Sequence, residues 1–128
     1  MVDDDGLPVR IVLTAGQAHD QRAVPELLKD LTPHCDVVAD RAYDSDAVLD
    51  LIRQAGARAH IPSMSRRLVQ RSVDPATYRE RNLVERFFNK IKQFRRIATR
   101  FDKLARNYLA AVLLASTRLW LRAYESTA

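Results

Sequence analysis

"CDVVADRAYDSDAVLDLIRQAGARAHIP", residues 35–62, reads as strand, helix, strand. "CDVVAD" (35–40) is a short apolar run with β-branched residues, bounded by Pro33 before it and "RAYDS" after it. It predicts a buried strand ending at Asp40. Ser45 has the chemistry of an N-cap for "DAVLDLIRQAG", where Ala47, Val48, Leu51, Ile52 and Ala55 line one face and Gly56 closes the helix. "ARAHIP" (57–62) reads as a second short strand. The order predicts a layered α/β domain.

Upstream, Asp5-Gly6 marks a tight turn. In "LPVRIVLT" (7–14), Val9, Ile11 and Leu13 alternate with Arg10, Val12 and Thr14, the period of a strand. Pro25 suits the first turn of a helix whose Val24, Leu27, Leu28 and Leu31 share a face. Downstream, Ser63 to Val73 carries Arg66, Arg67 and Arg71 and reads as a mobile basic loop. Asp74-Pro75 opens a helix expected to run to about residue 96, "IATRF" breaks it, and Asp102 is placed to cap a last helix. The expected organisation is one domain over 1–128: strands and helices with Asp40 (1–62), the basic loop (63–74), a helix with Glu85 (75–101) and a C-terminal helix (102–128).

The 128 residues, 47% apolar and 29% charged, suit one soluble domain with its own core. The single cysteine, Cys35, has no internal disulfide partner, which fits a reducing cytosol. The acidic opening "MVDDDGLPVR" does not read as a signal peptide. "YLAAVLLASTRLWL" (108–121) is too short an apolar run to span a bilayer and predicts a buried helix. The net charge of +5 is unevenly spread: residues 1–60 sum to −5 and residues 61–128 to +10. A basic half of this kind is the footprint of a polyanion binder or a solvated basic face.

Within "YRERNLVERFFNKIK" (78–92) one carboxylate, Glu85, stands among Arg79, Arg81, Arg86, Lys90 and Lys92. On a continuous helix Tyr78, Arg81, Glu85 and Lys92 fall within roughly 60° of one another, with Asn89 and Arg96 close by. Val84, Phe87, Ile91 and Phe94 form the neighbouring apolar face, expected to pack on the sheet. Two readings stay open for Glu85: a surface ion pair with Arg81 at i, i+4, or a metal ligand held against nucleic acid. Asp40 is likewise either a strand-end turn residue bonded to the nearby backbone or a functional carboxylate at the carboxyl end of a strand. Converging, the two carboxylates could hold Mg²⁺, which prefers oxygen ligands.

"ADRAYDSD" (39–46), followed by Tyr78, Arg81, Glu85 and Lys92 in the spacing Y-x-x-R-x-x-x-E-x₆-K, resembles the catalytic half of bacterial insertion-sequence transposases of the DDE type. "GLPVRIVLTAGQAHD" (6–20) and "RRIATRFDKLARNYLAAV" (95–112) resemble the same group, so the likeness covers nearly the whole chain. The resemblance implies an α/β, partial ribonuclease-H-like fold: a short mixed sheet with packed helices and a long C-terminal helix. It implies metal-dependent phosphodiester hydrolysis and strand transfer at transposon ends, with Asp40 and Glu85 as catalytic metal ligands for Mg²⁺ (or Mn²⁺). Tyr78, Arg81, Lys92, Arg95 and Arg96 are then the residues on DNA. The implied partners are double-stranded DNA, at transposon ends and target, and further copies of the complete protein, in the bacterial cytoplasm at the nucleoid. The family's first catalytic aspartate lies on an earlier strand, and Asp3, Asp4 and Asp5 do not match it. An upstream reading-frame product is the expected source; the alternative is a catalytically inactive DNA-binding remnant or repurposed module.

His19-Asp20 reads as a polar pair opening a helix, His34 and His60 as loop and strand-end residues, and Cys35 as a small hydrophobe. Trp120 and Tyr124 read as core or interface residues.

Overall fold

The computed structural model describes residues 1–16, 18–100 and 103–127. It is mixed α/β and divides into two compact units: unit 1 comprises residues 1–13 and 82–128, unit 2 residues 14–81.

Unit 2 is built on the strand–helix–strand segment. Strand β1 (Asp36–Val38) and strand β2 (Arg58–His60) pair in parallel, with Asp36 opposite Arg58 and Val38 opposite His60. A short helix α1 (Val24–Leu27) precedes them, and helix α2 (Asp46–Gln54) connects them. Ser45 caps α2, its Oγ accepting from Val48 N at 3.4 Å. Gly56 follows at φ +72°, a conformation that costs any residue with a Cβ. The core is Val24, Val48, Ile52 and Ile61, with Leu28, Val37, Ala39 and Leu51 packed against it. Ala47, expected on the buried face, is exposed, and Asp36 on β1 is exposed as well. The two-stranded sheet is therefore only half covered.

Helix α3 (Pro75–Arg79) ends unit 2 and opens as its sequence predicts: Asp74 Oδ2 accepts from Thr77 N at 2.7 Å, with Pro75 in the first turn.

In unit 1 the helices α4 (Asn82–Lys92), α5 (Arg95–Ala98) and α6 (Ala105–Thr127) enclose Phe87, Ile91, Ile97, Val112 and Ala115. The first residues of the chain join this unit through Val2 and Ile11. A turn holds them: Asp3 Oδ1 accepts from Leu7 N at 2.8 Å, Gly6 adopts φ +73°, and Val2 bridges Pro8 antiparallel. The Trp120 indole donates to Pro8 O at 2.9 Å.

Three expectations are corrected. Residues 7–14 alternate as a strand does but form no strand beyond the bridge at Pro8. A period of two is realised only where a neighbouring edge supplies hydrogen bonds. The single helix over 75–96 is three helices. Its first break falls at Glu80 and Arg81, whose N–H groups bond Thr77 O and Tyr78 O in the tighter i, i+3 pattern that ends helices. The second falls at Gln93 and Phe94, where the extended Phe94 precedes α5. The apolar face of Phe87 and Ile91 packs in a helical core with residues of α5 and α6, the layer helices form when no sheet is part of the cluster. The cap expected at Asp102 lies outside the described residues.

Gly56→Ala should destabilise the chain by about 1–2 kcal/mol, the cost of holding an L-residue in the left-handed region. Urea unfolding followed by circular dichroism measures it; an unchanged midpoint would mean the backbone relaxes there at no cost.

Candidate active-site residues and their supports

Asp40 follows β1 by two residues and opens the 3-10 turn Arg41–Tyr43. Its Oδ1 accepts from Ala42 N at 2.8 Å, and its carbonyl accepts from Tyr43 N at 3.1 Å. The side chain is half-buried. Among the described residues nothing else is bonded to Oδ2. One oxygen thus orients the carboxylate while the other keeps its lone pairs. Burial and the charges of Asp20 and Asp40 push the Tyr43 phenol up.

The turn ends on Asp44, a residue that no pattern in the sequence singles out. Its side chain is 0% exposed. Met64 N donates to Oδ2 at 2.6 Å, and Arg67 Nε donates to both oxygens at 2.8 and 2.9 Å. Arg71 Nη2 donates to Oδ1 and also to Ile61 O. Arg67 Nη1 reaches Asp46 Oδ1 at 2.8 Å, and Arg71 N donates to Ser63 Oγ at 2.9 Å. Residues 61–71 are therefore pinned at several points, which corrects the reading of a mobile loop. Two of its three arginines serve a buried carboxylate. Burial raises the Asp44 pKa, but the Met64 N–H and the Arg71 and Arg67 guanidinium groups outweigh it and bring it down to about 2.

A second, exposed cluster lies on the sheet. Arg58 Nε and Nη2 grip Asp36 at 2.8 and 3.0 Å, and His60 Nε2 lies 2.9 Å from Asp36 Oδ1. The Arg58 and His60 hydrogen bonds lower the Asp36 pKa to about 2. His19 behaves as expected, its Nδ1 accepting from Gln21 N at 3.4 Å at the start of a 3-10 turn.

Glu85 sits in the first turn of α4, exposed, and Lys92 ends the same helix. Tyr78 lies on α3 and Arg81 in the turn after it, both half-buried. The expected stripe of Tyr78, Arg81, Glu85 and Lys92 therefore does not lie on one helix. Arg95 and Arg96 are exposed on α5. Arg81, Glu85 and Arg96 each take part in at least one polar interaction. Among the described residues no three His, Cys, Asp or Glu side chains gather as a metal site. Asp40 belongs to unit 2, while Glu85, Lys92, Arg95 and Arg96 belong to unit 1. Charge divides in the same way: unit 2 contains ten residues of each sign, so the whole +5 sits on unit 1. No helix among the described residues is long and apolar enough to cross a membrane.

The family described as "Transposase DDE domain" matches residues 1–120. A protein of Brucella ovis, described as a putative transposase for insertion sequence element IS6501, is 38% identical over 123 residues, 95% of this chain and 95% of that one. No solved structure matches.

Removing the Asp44 carboxylate leaves two guanidinium groups facing a buried gap, so Asp44→Ala should cost about 3–5 kcal/mol. The lowered pKa fixes the sign of the pH effect: the contribution is full above about pH 4 and is lost as pH falls toward 2. Asp36 titrates in the same window, but its exposed pairs are screened by salt. Acid unfolding in high salt should therefore still show the Asp44 step, and Asp44→Ala should remove it.

Proposed function

The chain belongs to the transposases with a DDE domain, and from that membership we propose that it acts in DNA transposition, by metal-dependent cleavage and strand transfer at transposon ends. Asp40 and Glu85 are the catalytic carboxylates in this reading. By the same reading, both units are parts of one ribonuclease-H-like catalytic domain. The observation that carries the reading is the state of Asp40 two residues beyond β1: one oxygen is fixed by Ala42 N–H and the other is open among the described residues. Carboxylates at the carboxyl ends of parallel strands are the usual place for chemistry in open α/β sheets.

The chemistry of the two carboxylates supports the group that the family implies. Asp40 and Glu85 offer hard oxygen ligands of the kind Mg²⁺ or Mn²⁺ takes. What such an ion supplies when bound is Lewis acidity toward an attacking hydroxyl and a leaving phosphodiester oxygen. The chain's own residues do the rest. Asp40 presents its free oxygen at a fixed angle because the turn holds the other one. Asp44 holds the far end of that turn through Arg67 and Arg71, so it acts as a positioning residue. Lys92, Arg95 and Arg96, with Tyr78 and Arg81, hold DNA phosphates by charge and hydrogen bonds. The assembled protein is a homo-oligomer on double-stranded DNA at the bacterial nucleoid.

The second reading is a DNA-binding remnant without catalysis, and Asp40's use as the cap of a turn favours it. Transposition of a marked element, with its complete reading frames present, separates the two. Loss of a residue that merely orients a metal ligand costs 10–100-fold, so Glu85→Gln should lower the frequency by at least about 100-fold while DNA binding persists. Wild-type frequency in that variant would remove Glu85 from the metal site. Absence of transposition from the unaltered element would support the remnant.

A further inference from the structure

We propose that unit 1 holds a second nucleic-acid contact, a cleft that takes the phosphodiester backbone of DNA against Lys90, Arg118 and Arg122. The inference rests on the DNA-binding part of the function proposed above and is independent of the metal site.

The cleft has a volume of about 720 Å³ and is lined by residues of the N-terminal turn, α4, the α4–α5 junction and α6. Its apolar lining is Leu7, which is buried, with the half-buried Phe94 and Leu119. Arg118 and Arg122 stand one turn apart on α6, and Lys90 joins them from α4. All three are exposed, and among the described residues none is paired with a carboxylate. Like charges at i, i+4 repel each other, so the helix alone gains nothing from this arrangement; an anion between them reverses the sign.

The ligand class follows from the donors. Ser126 and Thr127 also line the cleft, but both hydroxyls already donate to α6 carbonyls, at 2.8 and 2.9 Å. Recognition therefore falls to three flexible cations and the Gln93 amide, all exposed, with no buried donor to grip a single ion. Such a surface holds an isolated phosphate weakly. It holds a polyanion well, because neighbouring phosphates add contacts and each contact releases counterions. The whole net charge of the chain lies on this same unit. One carboxylate, Asp5, also lines the cleft and opposes the ligand.

The test is the binding of a short fluorescent DNA duplex by the full chain, followed by anisotropy across a range of salt. Each lost phosphate contact lowers the slope of log affinity against log salt by about 0.9. The triple variant K90Q/R118Q/R122Q should thus lower it by about two to three, with thermal unfolding unchanged because the three side chains are exposed. Asp5→Asn should tighten binding several-fold, a gain that damage to the fold does not mimic. An unaltered slope in the triple variant, while the unaltered chain binds DNA, overturns the cleft and leaves the DNA reading standing. No binding by the unaltered chain removes both. Inorganic phosphate that competes as well as duplex at equal phosphate concentration assigns the cleft to free phosphate and overturns the proposal. A lowered slope, together with full transposition by Glu85→Gln, keeps the cleft and removes the metal site.

Discussion

A carboxylate with no exposure to water persists as a charge only if the protein rebuilds its solvation. Asp44 sets that requirement for unit 2, and the segment after β2 meets it with Met64 N–H, Arg67 and Arg71. Because Asp44 also donates its own N–H to Arg41 O, the same residue closes the turn that Asp40 opens. The chain around β1, the start of α2 and the segment leaving β2 are therefore one hydrogen-bonded object. The direction in which Asp40 points is set at one end by Ala42 and at the other by an ion cluster it never touches.

Unit 1 is constructed differently. Its buried groups are apolar: Phe87, Ile91, Ile97, Val112 and Ala115. The polar exception among the described residues, Ser116, is satisfied within its own helix by donating to Val112 O. Charge is kept outside and is mostly of one sign. The division makes physical sense: a unit that buries ions must balance them, whereas one with a hydrocarbon interior is free to gather positive charge on its surface.

Local chemistry was legible in the sequence. Ser45, His19 and the Asp74-Pro75 pair act on N–H groups two or three residues away, so their roles can be read from a short window. The strand–helix–strand order and Gly56 were legible for the same reason. What failed depends on partners far along the chain. Alternation over 7–14 suggested a strand, but backbone pairing extends no further than Arg10, against Met1. Arg67 and Arg71 read as a free basic loop because their partner lies 23 and 27 residues upstream. The helix over 75–96 looked continuous because nothing between Glu80 and Arg81 breaks a helix by propensity. Asp40 and Glu85 could be named as residue types in the right setting, whereas Asp44 could not, since a buried acid and a surface acid look alike in one dimension.

The hydrogen bond from Trp120 to Pro8 spans 112 positions, nearly the length of the chain. Unit 2 is continuous in sequence, but unit 1 draws on both ends of it. During synthesis, residues 14–81 can emerge and close their core while α6 has yet to leave the ribosome. The first thirteen residues meanwhile have no helical core to join. Unit 1 is thus the late-folding half, waiting for the ribosome to release its last helix. A premature stop within α6 would spare the half that holds Asp40 and leave the basic half unformed.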